Sequence, residues 1–272
     1  MAKGVLVDIS KCIGCRSCLA ACKQWNRLPA TDGTGKASWD EPLDMAGETW
    51  TVIKPYVTQK DGHVQWRFAK DQCRHCLEPA CESVCFVHAF YKTAEGPVLY
   101  HAYRCVGCRY CIIACPFGVP KYQWNEVFPE VRKCRFCYDP GGGFDRLGKG
   151  LQPACVSACP TGALKFGERE ELLEEARNRL SASPGKYVDR IYGEHEYGGT
   201  SWLYISDVPF EQIGFRTDVS EKPVPYWTAQ VNKWTLPVVG GWAAALTALY
   251  LYSRSRSQSE VEEEELAGGE RR

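Results

Sequence analysis

Methionine is nearly missing from this chain, with two residues in 272, and histidine contributes only five. Any soft-metal chemistry must therefore lean on thiolate rather than on thioether or imidazole. Net charge is missing too, since 33 basic side chains balance 33 acidic ones. Such a balance gives no bulk attraction to nucleic acid, and no nucleic-acid partner is expected. The opening residues, MAKGVLVDIS, contain no long apolar core and no small-residue cleavage site, so they are not expected to act as a secretory signal. The chain also lacks a glycine-rich nucleotide loop and a nucleophile triad, so no catalytic residue of its own is expected.

Cysteine is in excess: sixteen residues, in four groups of four. Group one is Cys12, Cys15, Cys18 and Cys22, spaced C-x2-C-x2-C-x3-C. Group three, Cys105, Cys108, Cys111 and Cys115, repeats that spacing and is followed by Pro116, which reproduces the bacterial ferredoxin run. Group two, Cys73, Cys76, Cys81 and Cys85, widens one gap to four residues. Group four, Cys134, Cys137, Cys155 and Cys159, opens seventeen residues in the same place and ends on Pro160. Disulfide scaffolds are typically short and secreted, and Cys12, Cys15 and Cys18 are too close together to close useful loops. Structural zinc also takes C-x2-C pairs, but complete quartets favour iron–sulfur cubanes over either alternative.

Three thiolates at i, i+3 and i+6 on a tight loop can wrap three corners of one cubane, with the loop's N–H groups aimed at sulfur. Gly14 and Gly107 fit a loop folded closely over a cluster. In two-cluster ferredoxins the fourth cysteine reaches the neighbouring cluster. Groups two and three are neighbours, joined by HAFYKTAEGPVLYHAY, where two short apolar strands flank Glu95–Gly96 as a hairpin would. Pairing them predicts one cluster on Cys73, Cys76, Cys81 and Cys115 and a second on Cys105, Cys108, Cys111 and Cys85. Groups one and four then hold a third on Cys12, Cys15, Cys18 and Cys159 and a fourth on Cys134, Cys137, Cys155 and Cys22, with VLVDI and GALKF as matching strands. Pairing group one with two, and three with four, is the alternative. The expected fold is α+β: two ferredoxin-like [4Fe–4S] modules, one inserted in the other, and a single C-terminal transmembrane helix. The outer module takes residues 1–65 and 125–167, the inner one 66–124.

Lys11, Arg16, Lys23, Arg74, Arg104, Arg109, Lys133 and Arg135 crowd the cysteine loops, where cations would raise cluster potentials. His75 is not needed as a ligand, because each quartet is complete without it. Residues 168–230 are expected to form a surface helix and a connecting segment, with Leu172, Leu173, Ala176 and Leu180 on one helical face. Trp234 to Tyr252 carries no charge, and nineteen helical residues span about 28 Å, close to a bilayer's hydrocarbon core. A transmembrane helix over 231–253 is predicted, with membrane lipid around it, aromatic residues at both ends and Pro237 in the first turn. Gly240 and Gly241 leave a small-residue face on it. Arg254 and Arg256 follow directly, which places the charged tail, 254–272, in the cytoplasm and the cysteine-rich part on the periplasmic side. Without its own signal, such a domain would have to cross the membrane already folded, on a partner.

The segments VDISKCIGCRSCLAACKQWN, GETWTVIK, CVGCRYCIIACPFGVPKY, VRKCRFC, PACVSACPTGALKFG and GGTSWLYISD, with the terminal apolar run, resemble the iron–sulfur subunit of membrane-bound respiratory formate dehydrogenases. The quartets alone suit the wider family of four-cluster subunits of molybdenum and tungsten oxidoreductases. The resemblance implies an electron-transfer subunit with four [4Fe–4S] clusters and no formate chemistry of its own. It also implies a catalytic subunit with a molybdenum or tungsten bis-pterin and a cytochrome b-type membrane subunit that passes electrons to quinone. A twin-arginine signal on the catalytic subunit would export the pair. Another respiratory complex, a hydrogenase or a polysulfide-type reductase, is the competing destination. Phe86, where proline is common, and the long glycine-rich loop Tyr138 to Ala154 depart from the family pattern without removing a cysteine.

Overall fold

The computed structural model describes residues 2–30, 44–60, 62–124 and 126–269, with side chains described to residue 259. Residues 31–43 of the expected outer module, the acidic side chains at 261–266 and the last three residues of the tail lie outside that description. In chain order the elements are β1 (Lys3–Asp8), α1 (Ser17–Trp25), β2 (Thr51–Lys60), β3 (His63–Gln72), α2 (Ala80–Ser83), β4 (Phe90–Lys92), β5 (Val98–Tyr100) and α3 (Tyr110–Ala114). There follow β6 (Lys121–Tyr122), β7 (Val131–Arg132), α4 (Ala154–Ser157), β8 (Leu164–Glu168), α5 (Arg169–Ala182), β9 (Trp202–Ile205) and α6 (Val224–Gly269). The chain divides into two compact units, 1–225 and 226–272.

In the first unit a three-stranded sheet runs β8–β1–β9. β1 and β8, the two segments expected to match, pair antiparallel from Lys3 with Glu168 to Val7 with Leu164. β9 joins the other edge of β1 in parallel. Alternation along the strands divides the core in two. Val5 and Val7 of β1 and Trp202 and Tyr204 of β9 face a cluster of side chains that includes Cys18 and Cys155. Leu6, Leu203 and Ile205 point the other way, onto Leu172, Leu173 and Ala176 of α5. Burial on both faces explains why VLV and WLYI read as continuous apolar runs. Residues 168–230 therefore hold more than a surface helix and a connection, because β9 is part of the central sheet and a parallel partner distant in sequence leaves no local signal.

β2 and β3 form a ten-by-ten antiparallel hairpin from Thr51–Gln72 to Lys60–His63. Its base contributes Ile53 and Ala69 to the core, while Val57, Val64 and Trp66 further out are exposed. The Arg67 Nε donates to Asp207 Oδ1 at 2.8 Å and ties the hairpin to the loop after β9. The expected small hairpin is present as β4 and β5, with Glu95–Gly96 in its turn. The loop from Tyr138 to Ala154 is pinned rather than slack. The Trp25 indole donates to the Phe144 carbonyl at 2.9 Å, and the Arg146 guanidinium lies 4.8 Å from the Trp25 ring centroid.

The second unit is the remainder of α6. Val224–Ser259 is long and apolar enough to cross a membrane, and none of its apolar window is buried. The helix starts earlier than its uncharged stretch, so Pro237 lies inside it rather than in the first turn. It is Pro225 that occupies the first turn, where a missing N–H costs little. Pro237 removes the hydrogen bond to the Lys233 carbonyl, an interruption that membrane helices tolerate. The expected tail continues as helix to Gly269, through serine, arginine and glutamate with no proline to stop it.

Candidate functional site

All sixteen cysteines are free thiols. Cys12, Cys15, Cys18 and Cys159 line one cavity, with Val7, Ile53 and Leu164 among its walls. Cys73, Cys76, Cys81 and Cys115 line a second, walled by Val98, Phe117 and Val119. Cys22 lies within electrostatic reach of Cys134, Cys155 and Cys137, as α1 packs on α4. Cys111 is similarly placed with Cys105, Cys108 and Cys85, as α2 packs on α3. The last cysteine of each group, in its short helix or just after it, meets the loop of another group, so every set draws on two groups.

The loops repeat at the level of single torsions. In the first C-x2-C of each group the residue before the second cysteine is left-handed: Gly14 at φ 70°, His75 at 49°, Gly107 at 69° and Phe136 at 63°. Arg16 and Arg109 then start α1 and α3 with nearly identical angles, φ 60° and ψ 8° or 9°. This turn directs N–H groups at sulfur: Gly107 N–H to Cys105 Sγ at 3.4 Å and Phe136 N–H to Cys134 Sγ at 3.3 Å. Ala89 N–H reaches Cys85 Sγ at 3.2 Å. The glycines answer to torsion and to neighbouring rings, because a Cβ on Gly14 would lie 2.6 Å from the Phe68 ring. His75 and Phe136, both buried, meet edge to face with centroids 5.0 Å apart and so join the loops of groups two and four.

Burial pushes the thiols up: Cys12 to about 11, and Cys111, Cys134 and Cys155 each to about 12. Neighbouring thiolates push the same way, and Lys70 opposes them at Cys134 and Cys155. In each set the thiols are thus held close together at a cost that a cationic group bound among them would offset. Among the described residues, no three Cys, His, Asp or Glu side chains close on a point suited to one metal ion. A polynuclear group with a thiolate at each corner fits the arrangement better than a single tetrahedral ion.

The predicted cations divide by environment. Arg74 and Lys133 are buried. Arg74 meets Asp71 at 3.2 Å. The Lys133 ammonium donates to the carbonyls of Val98 and Cys134 and lines the cavity of Cys73. Arg104 and Arg109 are exposed. His75 is fully buried, its Nδ1 accepts Val98 N–H at 2.9 Å, and burial drives its pKa well down, so it is neutral. Lys70, near the end of β3, lines the Cys12 cavity and is 2% exposed. Sequence reading missed it, because Lys70 lies next to group two but serves thiols of groups one and four.

Two models of the 4Fe-4S dicluster domain match this chain, over residues 11–89 and 64–169. A protein of Nitratidesulfovibrio vulgaris is 42% identical over 254 residues, 91% of this chain and 65% of its own length. The nitrate-inducible formate dehydrogenase iron–sulfur subunit of Escherichia coli is 36% identical over 150 residues, 55% of this chain and 48% of its own. The hydrogenase-2 operon protein HybA of Escherichia coli is 37% identical over 237 residues, 77% of this chain and 71% of its own. This chain thus spans about half to two thirds of the length of the first two relatives. Torsion-repeated cysteine loops, thiol sets shared between groups and these matches agree: the chain belongs to the ferredoxin-like 4Fe-4S dicluster family.

Proposed function

We propose that this chain relays electrons through four [4Fe–4S] clusters, from a formate-oxidising molybdenum or tungsten bis-pterin subunit to a cytochrome b-type membrane subunit and quinone. The ligand sets are Cys12, Cys15, Cys18 and Cys159; Cys22, Cys134, Cys137 and Cys155; Cys73, Cys76, Cys81 and Cys115; and Cys85, Cys105, Cys108 and Cys111. The outer module is 1–65 with 125–167, and 66–124 is the inner module inserted in it. Bound in such a set, a cubane takes up and gives back one electron.

The observation that carries this reading is the succession of the four sets. Cys18 of the first acts electrostatically on Cys155 of the second. Cys73 of the third acts on Cys134 of the second. Cys81 of the third and Cys111 of the fourth share one apolar cluster. The exposed thiols, Cys15 and Cys108, belong to the first and last sets. Electrons can therefore enter at one surface and leave at the other, while apolar walls keep water from the middle of the path and loop N–H groups stabilise negative charge.

The α6 helix is the membrane anchor in this reading. Arg254 and Arg256 beyond it favour a cytoplasmic C-terminus and a periplasmic cluster domain. Protease added to intact spheroplasts is expected to cut the cluster domain; full protection there, with the cluster domain cut in inverted vesicles instead, would give the reverse orientation.

A hydrogenase is the second reading, favoured by the longer reach of the HybA match over this chain. A sulfur-type reductase remains the third. The native complex, purified anaerobically from detergent-solubilised membranes, separates them. Formate is expected to bleach the visible iron–sulfur absorbance rapidly. Bleaching by hydrogen or by a sulfur donor, and not by formate, would reassign the partner and keep the relay.

A further inference from the structure

Lys70 is a buried cation that meets no carboxylate among the described residues. Its ammonium donates to Gln72 Oε1 at 3.0 Å and to Thr51 Oγ1, both neutral, and lies 4.9 Å from the Trp202 ring centroid. Its sequence neighbour Asp71 is engaged elsewhere, with Lys54 at 3.4 Å and Arg74 at 3.2 Å. Among the described residues no acid pairs with Lys70. An uncompensated buried charge is costly, and so is leaving one member of a buried pair behind. Burial by itself would lower the Lys70 pKa, yet it is held above its ordinary value by Cys155, Cys18, Tyr204 and Cys134. The compensating negative charge is therefore sulfur. It comes from two thiol sets, since Lys70 lines the cavity of Cys12, Cys15, Cys18 and Cys159 and also opposes the upward push on Cys22, Cys134, Cys137 and Cys155.

We infer that Lys70 is a fixed counter-charge shared by the first two clusters, which raises the reduction potential of both and weakens their mutual repulsion. The inference rests on the cluster reading of those two sites. Adding an electron to either cluster adds negative charge beside the ammonium, so the reduced state gains more from Lys70 than the oxidised state does. Thr51 and Gln72 hold the ammonium between the sites. The Gln72 amide is fixed in turn by its Nε2–H to the Tyr204 hydroxyl at 2.6 Å. The third and fourth sites have no part in this, so the effect is confined to half of the relay.

The test is a redox titration of the full chain in its native complex, followed by electron paramagnetic resonance at low temperature, in wild type, Lys70→Met and Lys70→Arg. Iron and acid-labile sulfide are measured on each sample. Lys70→Met is expected to move two of the four midpoint potentials to more negative values with all four clusters retained. Its reduction equilibrium should weaken at least tenfold at those two centres, ~59 mV for a one-electron couple. Lys70→Arg keeps the charge and should return both centres toward wild type. If Lys70→Met fails to assemble, Lys70→Gln removes the charge and keeps a hydrogen-bonding head, with the same expected shifts. Intact clusters with unmoved potentials, or with all four shifted equally, would overturn the Lys70 assignment and leave the cluster reading standing. Wild-type chain without iron would overturn both.

Discussion

Four loops place a left-handed residue at the same point, and only two of those residues are glycine. For His75 and Phe136 the torsion costs about 1–2 kcal/mol each, so something must offset it. Both side chains are fully buried and pack edge to face. A Phe→Ala truncation in a core costs about 3–5 kcal/mol, so packing outweighs strain. Phe136→Gly is accordingly expected to lower stability in a thermal melt although it relieves the torsion. Gly14→Ala should also destabilise, because φ is 70° and the new methyl meets the Phe68 ring. The thiols carry a pH signature. Cys12 is raised from an ordinary 9.0 to about 11, first by burial. A raised folded value gives stability that is full below 9.0 and is lost as pH rises through about 11. The metal-free chain should therefore melt at falling temperature over that window; an unchanged melting temperature across it would contradict the buried-thiol account. The sixteen cysteines and Gly14 were legible because spacing and glycine are local signals. His75, Phe136 and Lys70 were not, since their partners lie in other groups and no local pattern marks a residue whose role depends on a distant loop.

At the scale of elements, β1 and β8 and the β4–β5 hairpin could be read from short apolar runs and a Glu-Gly turn. The β2–β3 hairpin could not, because its outer half is largely open to solvent and mixes polar and apolar residues without a clean alternation. β9 looked like a connection, yet all four of its residues are buried. α5 seals the face of the sheet opposite the thiols, and Leu172 is 2% exposed there. Leu172→Ala should cost about 2–5 kcal/mol in denaturant unfolding, with iron content per folded chain unchanged, since none of the four thiol sets touches that face. A loss of iron at full stability would mean that α5 acts on the sites directly. The second unit was legible in composition, while its start and the interior position of Pro237 were not, because the helix extends upstream through polar residues. Removing 226–272 should release the chain from the membrane fraction and leave the melting temperature of the first unit within a few degrees of wild type.

Across the whole molecule, two observations bear on the proposed relay at once. The thiol sets succeed one another through the core, and the two exposed thiols fall in the terminal sets. Cys108→Ser should therefore perturb one terminal cluster and leave the signals of the other three. Replacing Cys155, which is buried between two sets, should impair both the second cluster and its neighbour. Neither outcome could be read from spacing by itself, because spacing and order in the chain suggest which groups pair and not how the resulting sets succeed one another. The most direct test of the central claim is the iron and acid-labile sulfide content of the anaerobically purified full chain. Four cubanes predict about sixteen of each per chain, with sulfide equal to iron. About half that amount would mean that two thiol sets hold no cluster, and metal without sulfide would contradict the account altogether.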